Sequence, residues 1–437
     1  MPGAAWHPDC PTALPQHGSK DDQKGDPNMT SSVVRRLAGL FLFLLLAAPW
    51  GVAAEEPPKF LIEKIVVEGV ARAAGRQIVA DESLLKPGQT YTEPQLRQAV
   101  YRVKRLQFVV DAEFSLRKGS ERGAYELVIK VEEETPVFFS AEADAERAQQ
   151  TNFFTGKRRT TTTWQRFGTV GGREFVGSHG LVYGSVEKVQ HQDGELVNAG
   201  YTQYDLFGAG SFANVELDST EGVKGYDQLQ AFFSAGIPLT AAQSLRTDMG
   251  WASSKSIFSV GSSRDAGLFA TVSWVYNTTD DPLFPLSGTI GSAAASYRTD
   301  ALHFVETIPF DIDERATERT LGYGVSGEHF WPLTARQALE LELSANVTRA
   351  SARAEPESQS LQATLTVGHA INLLGYEKAQ RFGDLRFENT IVLAYVHDSI
   401  VVISPNKSAS FVSSLLYRSR WGVLRLSFAY DGLWWNH

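Results

Sequence analysis

The chain is predicted to be mainly β, with a small N-terminal β-α-α-β-β module followed by a transmembrane antiparallel β-barrel of about 14–16 strands. Three observations carry this. A secretory-type leader lies near the start. One compact α/β pattern runs from Phe60 to Val131. Some three hundred residues of period-two alternation follow it, with no helical pattern among them.

The leader has its three parts in order. Arg35 and Arg36 form a basic start, Leu37–Ala48 an apolar core, and Val52-Ala53-Ala54 a small-residue exit after Pro49. As a helix the core would rise about 18 Å, short of the roughly 30 Å of a bilayer interior. Residues 29–54 therefore read as a signal peptide. Met29 reads as the true start, and the polar, Pro-rich stretch 1–28 as a doubtful extension. Cys10, in that extension, is the single cysteine. The remaining chain would have no disulfide, thiolate metal site or cysteine nucleophile.

A net charge of −9 gives no overall cationic field for nucleic acid. The mean hydropathy of −0.19 would suit a soluble protein, and equally a barrel whose polar inner residues alternate with lipid-facing ones. No further apolar run reaches the 18 residues of a membrane helix.

Within the module, assigned to residues 60–135, Ile62–Val67 predicts a strand that ends at Glu68-Gly69. A short helix is expected around Arg76–Glu82, then a turn at Lys86-Pro87-Gly88. Thr92 opens a second helix, with Gln95 three residues on as in a capping box and Pro94 in the first turn. Leu96, Ala99, Val100 and Val103 give that helix one apolar face. Strands Val109–Leu116 and Tyr125–Val131 close the unit around Lys118-Gly119-Ser120.

Residues 136–437 are assigned to the barrel. Leu339, Leu341, Leu343, Ala345 and Val347 alternate with polar neighbours. So do Leu361, Ala363, Leu365 and Val367, the run Ala213, Val215 and Leu217, and the run Leu424, Leu426, Phe428 and Tyr430. A soluble sandwich shares this local pattern; its extent behind a leader favours a closed barrel, which leaves no unpaired edge in lipid. Trp164, Phe167, Tyr183, Tyr204, Phe207, Trp251, Trp274, Tyr276, Phe330, Trp331, Tyr417 and Trp421 would suit interfacial girdles. The last strands are expected at Phe387–Tyr395, Ile400–Ser404, Phe411–Arg418 and Val423–Tyr430.

The most specific segment runs from Tyr276 to Thr289. Asp280, Asp281 and Pro282 start a tight turn, Phe284 follows, Pro285 stiffens it, and Gly288 frees the backbone before the next strand. Two other patterns lead nowhere. His179, His191, His303, His329, His369, His397 and His437 make no HExxH or other ligand spacing, so no metal or cofactor is expected. Gly324-Val325-Ser326-Gly327-Glu328 lacks the last Gly of a nucleophile elbow and sits in an alternating strand. No Walker loop appears, and no enzymatic activity is expected.

The module resembles the POTRA domain through Ile65-x-Val67-x-Gly69, Leu85-x-x-Gly88, Leu96-x-x-Ala99 and Leu127-x-x-x-Val131-x-Glu133. The Asp280–Gly288 segment resembles the D-P-x-F-P-x-x-G hairpin of the POTRA-plus-barrel outer-membrane assembly and secretion superfamily, which includes BamA-like and TamA-like factors and two-partner secretion transporters. The resemblance covers about residues 60–432. It implies a Gram-negative outer-membrane location with the module in the periplasm. It also implies partners that are unfolded outer-membrane or secreted polypeptides, outer-membrane lipid and accessory assembly proteins. Clients would be bound by strand addition at a sheet edge, with Val109, Val110, Phe114 and Leu116 or the strand Ile62–Val67 as candidates.

Relatives also fold an extracellular loop with an Arg-Gly-Tyr/Phe tip into the barrel. The matching stretch here is Leu374-Gly375-Tyr376, with Leu374 at the Arg position. Either Arg381 supplies the charge or the latch is absent. The C-terminal pattern falls one strand short of the family's, which would leave an edge or call for a short closing strand. Two alternatives stay open beside the assembly role: a passive outer-membrane channel, and a transporter for one dedicated client.

Overall fold

The computed structural model describes residues 57–151, 158–190, 194–223, 226–258, 261–306, 312–352, 358–373, 383–398, 406–419 and 421–431. The leader, 1–28 and 29–54, and the strand expected at Ile400–Ser404 lie outside these.

The module is built from β1 (Lys59–Glu68), α1 (Ala73–Glu82), β2 (Gln89–Thr92), α2 (Glu93–Val103), β3 (Val109–Lys118) and β4 (Ala124–Glu133). Its sheet order is β2-β1-β4-β3, with β1 parallel and β3 antiparallel to β4. The expected β-α-α-β-β order thus gains one short strand. Gln89-Thr90-Tyr91-Thr92 is too short and polar to show a period, and only its pairing makes it a strand. Gln95 accepts from the Thr92 amide at 2.8 Å, the reciprocal half of the capping box. Ile62, Ile78, Val79, Leu96, Phe108 and Leu127 are fully buried between sheet and helices. Gly69 turns the chain at φ +90°, where a Cβ would stand 1.9 Å from the Val131 carbonyl oxygen.

The barrel begins with β5 (Val137–Thr151), β6 (Arg158–Val176), β7 (Gly180–Gln190), β8 (Gly194–Tyr204) and β9 (Phe212–Val223). It continues with β10 (Tyr226–Pro238), β11 (Gln243–Phe258), β12 (Gly261–Asn277), β13 (Gly288–Glu306) and β14 (Ile312–Thr334). It ends with β15 (Gln337–Ala352), β16 (Ser358–Asn372), β17 (Asp384–Asp398), β18 (Asn406–Ser419) and β19 (Gly422–Asp431). The fifteen strands form one closed meander. Because fifteen is odd, the first and last strands run the same way, and β19 closes on β5 in parallel. The unpaired edge anticipated for a short C-terminal pattern is absent among the described residues, since this ladder removes it. β17 and β18 pair directly with each other.

The period-two reading holds along the wall. Val215, Leu217, Leu339, Val367, Leu424 and Leu426 are exposed on the outside, and their neighbours point inward. The inner wall is polar: Tyr183 donates to Glu216 at 2.6 Å, and Arg298 to Asp300 at 2.8 Å. Trp274, Trp331, Trp421 and Phe207 are exposed near strand ends, as girdle residues would be, whereas Trp251 is exposed at the middle of β11. Tyr183, Tyr204 and Phe330 are corrections to the girdle expectation. They fall on the inward phase of their strands, and Tyr204 and Phe330 are buried. The side chain of Trp164 lies outside the described residues. No described helix is long and apolar enough to cross a membrane.

The module is seated against one end of the barrel, and residues Phe60–His437 form a single unit. β5 leaves the module through Glu134–Pro136, so its start marks the proximal end. Alternation then puts the β6–β7, β8–β9, β10–β11, β12–β13, β14–β15, β16–β17 and β18–β19 connections at that same end.

Candidate functional site

The proximal mouth is where the hairpin found in the sequence, the module and the ends of β17 and β18 meet. The Asp280–Gly288 hairpin is held by its own carboxylates. Asp281 Oδ1 accepts from the amides of Leu283 (2.8 Å) and Phe284 (2.7 Å), and Asp280 Oδ1 from those of Leu286 (2.9 Å) and Ser287 (3.2 Å). Pro282 and Pro285 have no amide to satisfy, so these bonds serve the donors that remain. Gly288 takes φ +111°, with the Thr278 carbonyl oxygen 2.5 Å from where a Cβ would lie.

The hairpin leaves the wall between β12 and β13 and reaches the inner side of β17 and β18. Arg418 Nη1 and Nη2 donate to the two oxygens of Asp281 at 2.9 and 2.8 Å. Arg418 Nε also donates to Asp384 Oδ2 at 3.1 Å. Arg386 donates to the Pro285 carbonyl at 3.1 Å and pairs with Glu388 at 2.7 Å. Phe284 is 3% exposed, its ring centre 4.7 Å from the Arg418 guanidinium. Burial works against the Asp281 charge, but Arg418, together with Lys104 and the Phe284 amide, holds its carboxyl below the ordinary range. The hairpin is thus a strap across the mouth.

The module docks beside it. Phe108 and Phe175 meet edge to face at 4.9 Å, and Leu181, Tyr204 and Phe212 extend the module core into the barrel rim. Arg105 Nη2 donates to Asn277 Oδ1 at 2.8 Å and to its carbonyl at 3.0 Å, at the end of β12 and three residues before the strap. Arg173 on β6 binds Glu134 and the Gln107 carbonyl. Arg102 pairs with Glu82 at 2.8 Å and donates to the Gly210 carbonyl at 2.8 Å. Burial pushes Glu82 up to about 7, opposed by Arg102 and reinforced by Asp205. These contacts join residues from 20 to 172 positions apart, and no local pattern announces them.

β3 is an outer strand of the module sheet, and no strand pairs with its far side among the described residues. Ala112 is buried, and Val109, Phe114 and Leu116 pack on the module core, while Val110 is half-buried. The free edge therefore offers backbone groups with Glu113 and Arg117 exposed beside them. The other candidate, Ile62–Val67, lies within β1, which has β2 on one side and β4 on the other. It is not an edge.

Leu374, Gly375, Tyr376 and Arg381 lie outside the described residues. Their flanks are described. Leu373 donates to the Leu385 carbonyl at 2.7 Å and Asn372 to the Arg336 carbonyl at 2.8 Å, both at the proximal rim. By strand parity the facing ends of β16 and β17 lie on the module side of the barrel.

Asp81, His179 and Asp205 bring ligand-type atoms within 4.8 Å of one another. They come from α1 and two rim turns, so spacing alone could not have shown them together. His179 Nε2 lies 3.6 Å from an Asp81 carboxylate oxygen and 3.8 Å from one of Asp205. Gly324–Glu328 runs through the middle of β14, as expected of a strand rather than a nucleophile elbow.

No protein-family model matches the chain, and no curated protein matches it. Among solved structures it is similar to BamA from Haemophilus ducreyi lacking POTRA domains 1–3. The TM-score is 0.41 at 13% identity, over 87% of this chain and 82% of that one. It is also similar to CdiB from Acinetobacter baumannii, with a TM-score of 0.39 at 9% identity over 83% of this chain. The match spans 64% of the length of CdiB.

Proposed function

We propose that this protein is an outer-membrane assembly or translocation factor. Unfolded polypeptides are received on the β3 edge of the module and pass to the barrel, which inserts or exports them. No catalytic step or cofactor enters this reading. The observation that carries it is the pairing of an unpartnered sheet edge with a barrel whose exterior is apolar. An exposed edge is a template for strand addition. A closed wall with exposed Leu, Val and Trp on its outside fits lipid, where every backbone polar group needs an internal partner. The strapped mouth supports a regulated path over a steadily open channel.

The test uses the full chain in liposomes, with an unfolded small barrel protein added and its protease-resistant fraction followed. Photo-crosslinking residues placed at Glu113 and Ser115 on β3 should capture the client, while one at Lys130 on the inner strand β4 should not. Folding should be faster than with empty liposomes or with a chain lacking residues 60–131. Equal rates in all three, or equal capture from Lys130, would refute the reading.

A further inference from the structure

The rim beside α1 holds a second cluster, apart from the strap. Asp81 lies in the last turn of α1, His179 in the turn between β6 and β7, and Asp205 in the turn between β8 and β9. Each side chain is held from behind. Gln77, one helical turn back, donates to Asp81 Oδ2 at 2.7 Å. His179 Nδ1 stands 2.7 Å from Ser178 Oγ, and the His179 carbonyl accepts from the Tyr204 amide at 2.8 Å, which ties the two turns together. Donation from Nδ1 to Ser178 leaves the Nε2 lone pair facing the carboxylates. Asp205 takes φ +58°, a left-handed angle that Asp tolerates better than most residues. Its Oδ1 accepts from the Gly210 amide at 2.8 Å, and the Gly210 carbonyl accepts from Arg102 of the module. Asp205 Oδ2 is left buried with no hydrogen-bond partner. A buried carboxylate oxygen without a donor is costly.

The three groups converge without bonding one another. Nε2 stands 3.6 Å from Asp81 Oδ2 and 3.8 Å from Asp205 Oδ2, beyond hydrogen-bond reach. Neither aspartate pairs with a Lys or Arg among the described residues, whereas neighbouring Glu82 has Arg102 at 2.8 Å. Burial and the Asp81 charge push the Asp205 carboxyl above its ordinary range, against the Gly210 amide and His179. Zinc binds imidazole nitrogen and carboxylate oxygen at about 2.0–2.2 Å, which sets tetrahedral ligands about 3.3–3.6 Å apart. The two separations from Nε2 are at and just above that span.

We propose that Asp81, His179 and Asp205 form a binding site for a zinc-type divalent cation, which clips the module to the barrel rim. Asp81 comes from the module, and His179 and Asp205 come from barrel turns, so an ion held by all three crosses the seam. One imidazole nitrogen and two carboxylate oxygens suit a borderline cation, whereas magnesium and calcium favour all-oxygen sets. With three protein ligands the fourth position stays open to water. The clip stands apart from the assembly reading: it holds the module in place whatever the barrel carries.

The test titrates zinc chloride into the purified full chain in neutral detergent, first stripped with a chelator. It is run at about pH 8, above the ordinary histidine value of about 6.5. Calorimetry gives stoichiometry and affinity, and hydrogen exchange follows docking. A single zinc ion per chain is expected, with magnesium and calcium at least about tenfold weaker. Asp205→Asn, His179→Gln and Asp81→Asn should each weaken zinc binding at least about tenfold, since changes behind metal ligands already do so. Asn tolerates the left-handed angle and keeps an Oδ1 acceptor for Gly210, so Asp205→Asn should fold. His369→Gln, on β16, should leave affinity unchanged. Zinc should slow exchange in α1 and in the 205–211 turn of the parent chain, and not in Asp205→Asn. No zinc binding by the parent chain would overturn the proposal and leave a plain histidine–carboxylate contact. Undiminished binding by all three variants would also overturn it, as would equal loss with His369→Gln or equal affinity for magnesium. Zinc bound without slower exchange on either side of the seam would overturn it as a clip.

Discussion

Arg418 on β18 and Asp281 in the strap form a two-pronged ion pair across the proximal mouth, 137 residues apart in the chain. Removing one partner of a buried pair leaves the other charged without compensation, at about 3–5 kcal/mol. Arg418→Ala is expected to lower barrel stability by that order and to raise conductance in planar bilayers as the strap is freed. Arg418→Lys should recover part of the stability, since an ammonium cannot make the two-pronged contact. Asp281→Asn combined with Arg418→Met should cost less than the two changes added together. Additive effects would show that the pair does not act as a unit. Because Asp281 binds its proton less readily when folded, the clasp is stabilising above the ordinary value of 3.8 and is lost as pH falls below it.

This strap also shows where the sequence could be read and where it could not. Asp, Pro and Gly have local conformational demands, so Asp280–Gly288 declared itself as a hairpin. Its partners Arg418, Asp384 and Arg386 had no signature, because nothing local distinguishes an inward Arg on a barrel strand from any other. Alternation fixed the inner and outer faces of β15 and β16, whereas strand parity, a global count, decided which end of the barrel each strand end faces. β2 escaped for the opposite reason: four polar residues cannot show a period, and pairing alone makes them a strand.

Glu82 makes the seating of the module dependent on pH. Folded, it holds its proton up to about 7, against an ordinary 4.5. Between those values the folded state binds more protons than the unfolded one, so stability falls as pH rises through the interval. The interval corresponds to about 3 kcal/mol as an upper bound. Thermal unfolding followed between pH 5 and pH 8, a span chosen on roughly that scale, should show the loss in the native chain. Glu82→Gln should flatten the profile, since the amide does not titrate. An equally steep profile in the variant would assign the effect to Asp205 or Glu134, whose carboxyls burial also raises.

Arg105, two residues past the end of α2, bonds to Asn277 at the end of β12, where the chain leaves for the strap, so module and strap should move together. Arg105→Ala removes both bonds to Asn277 and leaves its side-chain oxygen the Thr279 amide and hydroxyl at 3.0 and 2.8 Å. The expected result is a loss of about 1.5–3 kcal/mol in module docking, the range for charged hydrogen bonds. Hydrogen exchange should quicken in both α2 and the 278–287 segment. Faster exchange in α2 alone would separate the two devices.

The parallel seam is the last point at which the barrel can be tested. β19 meets β5 through eight register pairs, from Leu424–Ala141 to Asp431–Ala148, whereas β12 and β13 share seventeen. Parallel ladders are also slightly weaker per residue than antiparallel ones. The seam is started by Gly422 at φ +139°, where a Cβ would fall 1.5 Å from the Phe139 carbonyl oxygen; there the Phe139 amide donates to Trp421 at 2.7 Å. Any side chain would drive β19 from β5 at its first pair, and the backbone angle disfavours L residues as well. Gly422→Ala should therefore open the seam. Cysteines placed at Ala141 and Leu424 should form a disulfide readily in the parent chain and several-fold less in the Gly422→Ala background, read as heat-stable closed barrel on gels. The distant pair Trp251 and Leu268, converted in the same way, should crosslink equally in both backgrounds, so a general loss of folding would be distinguished from a local opening of the seam.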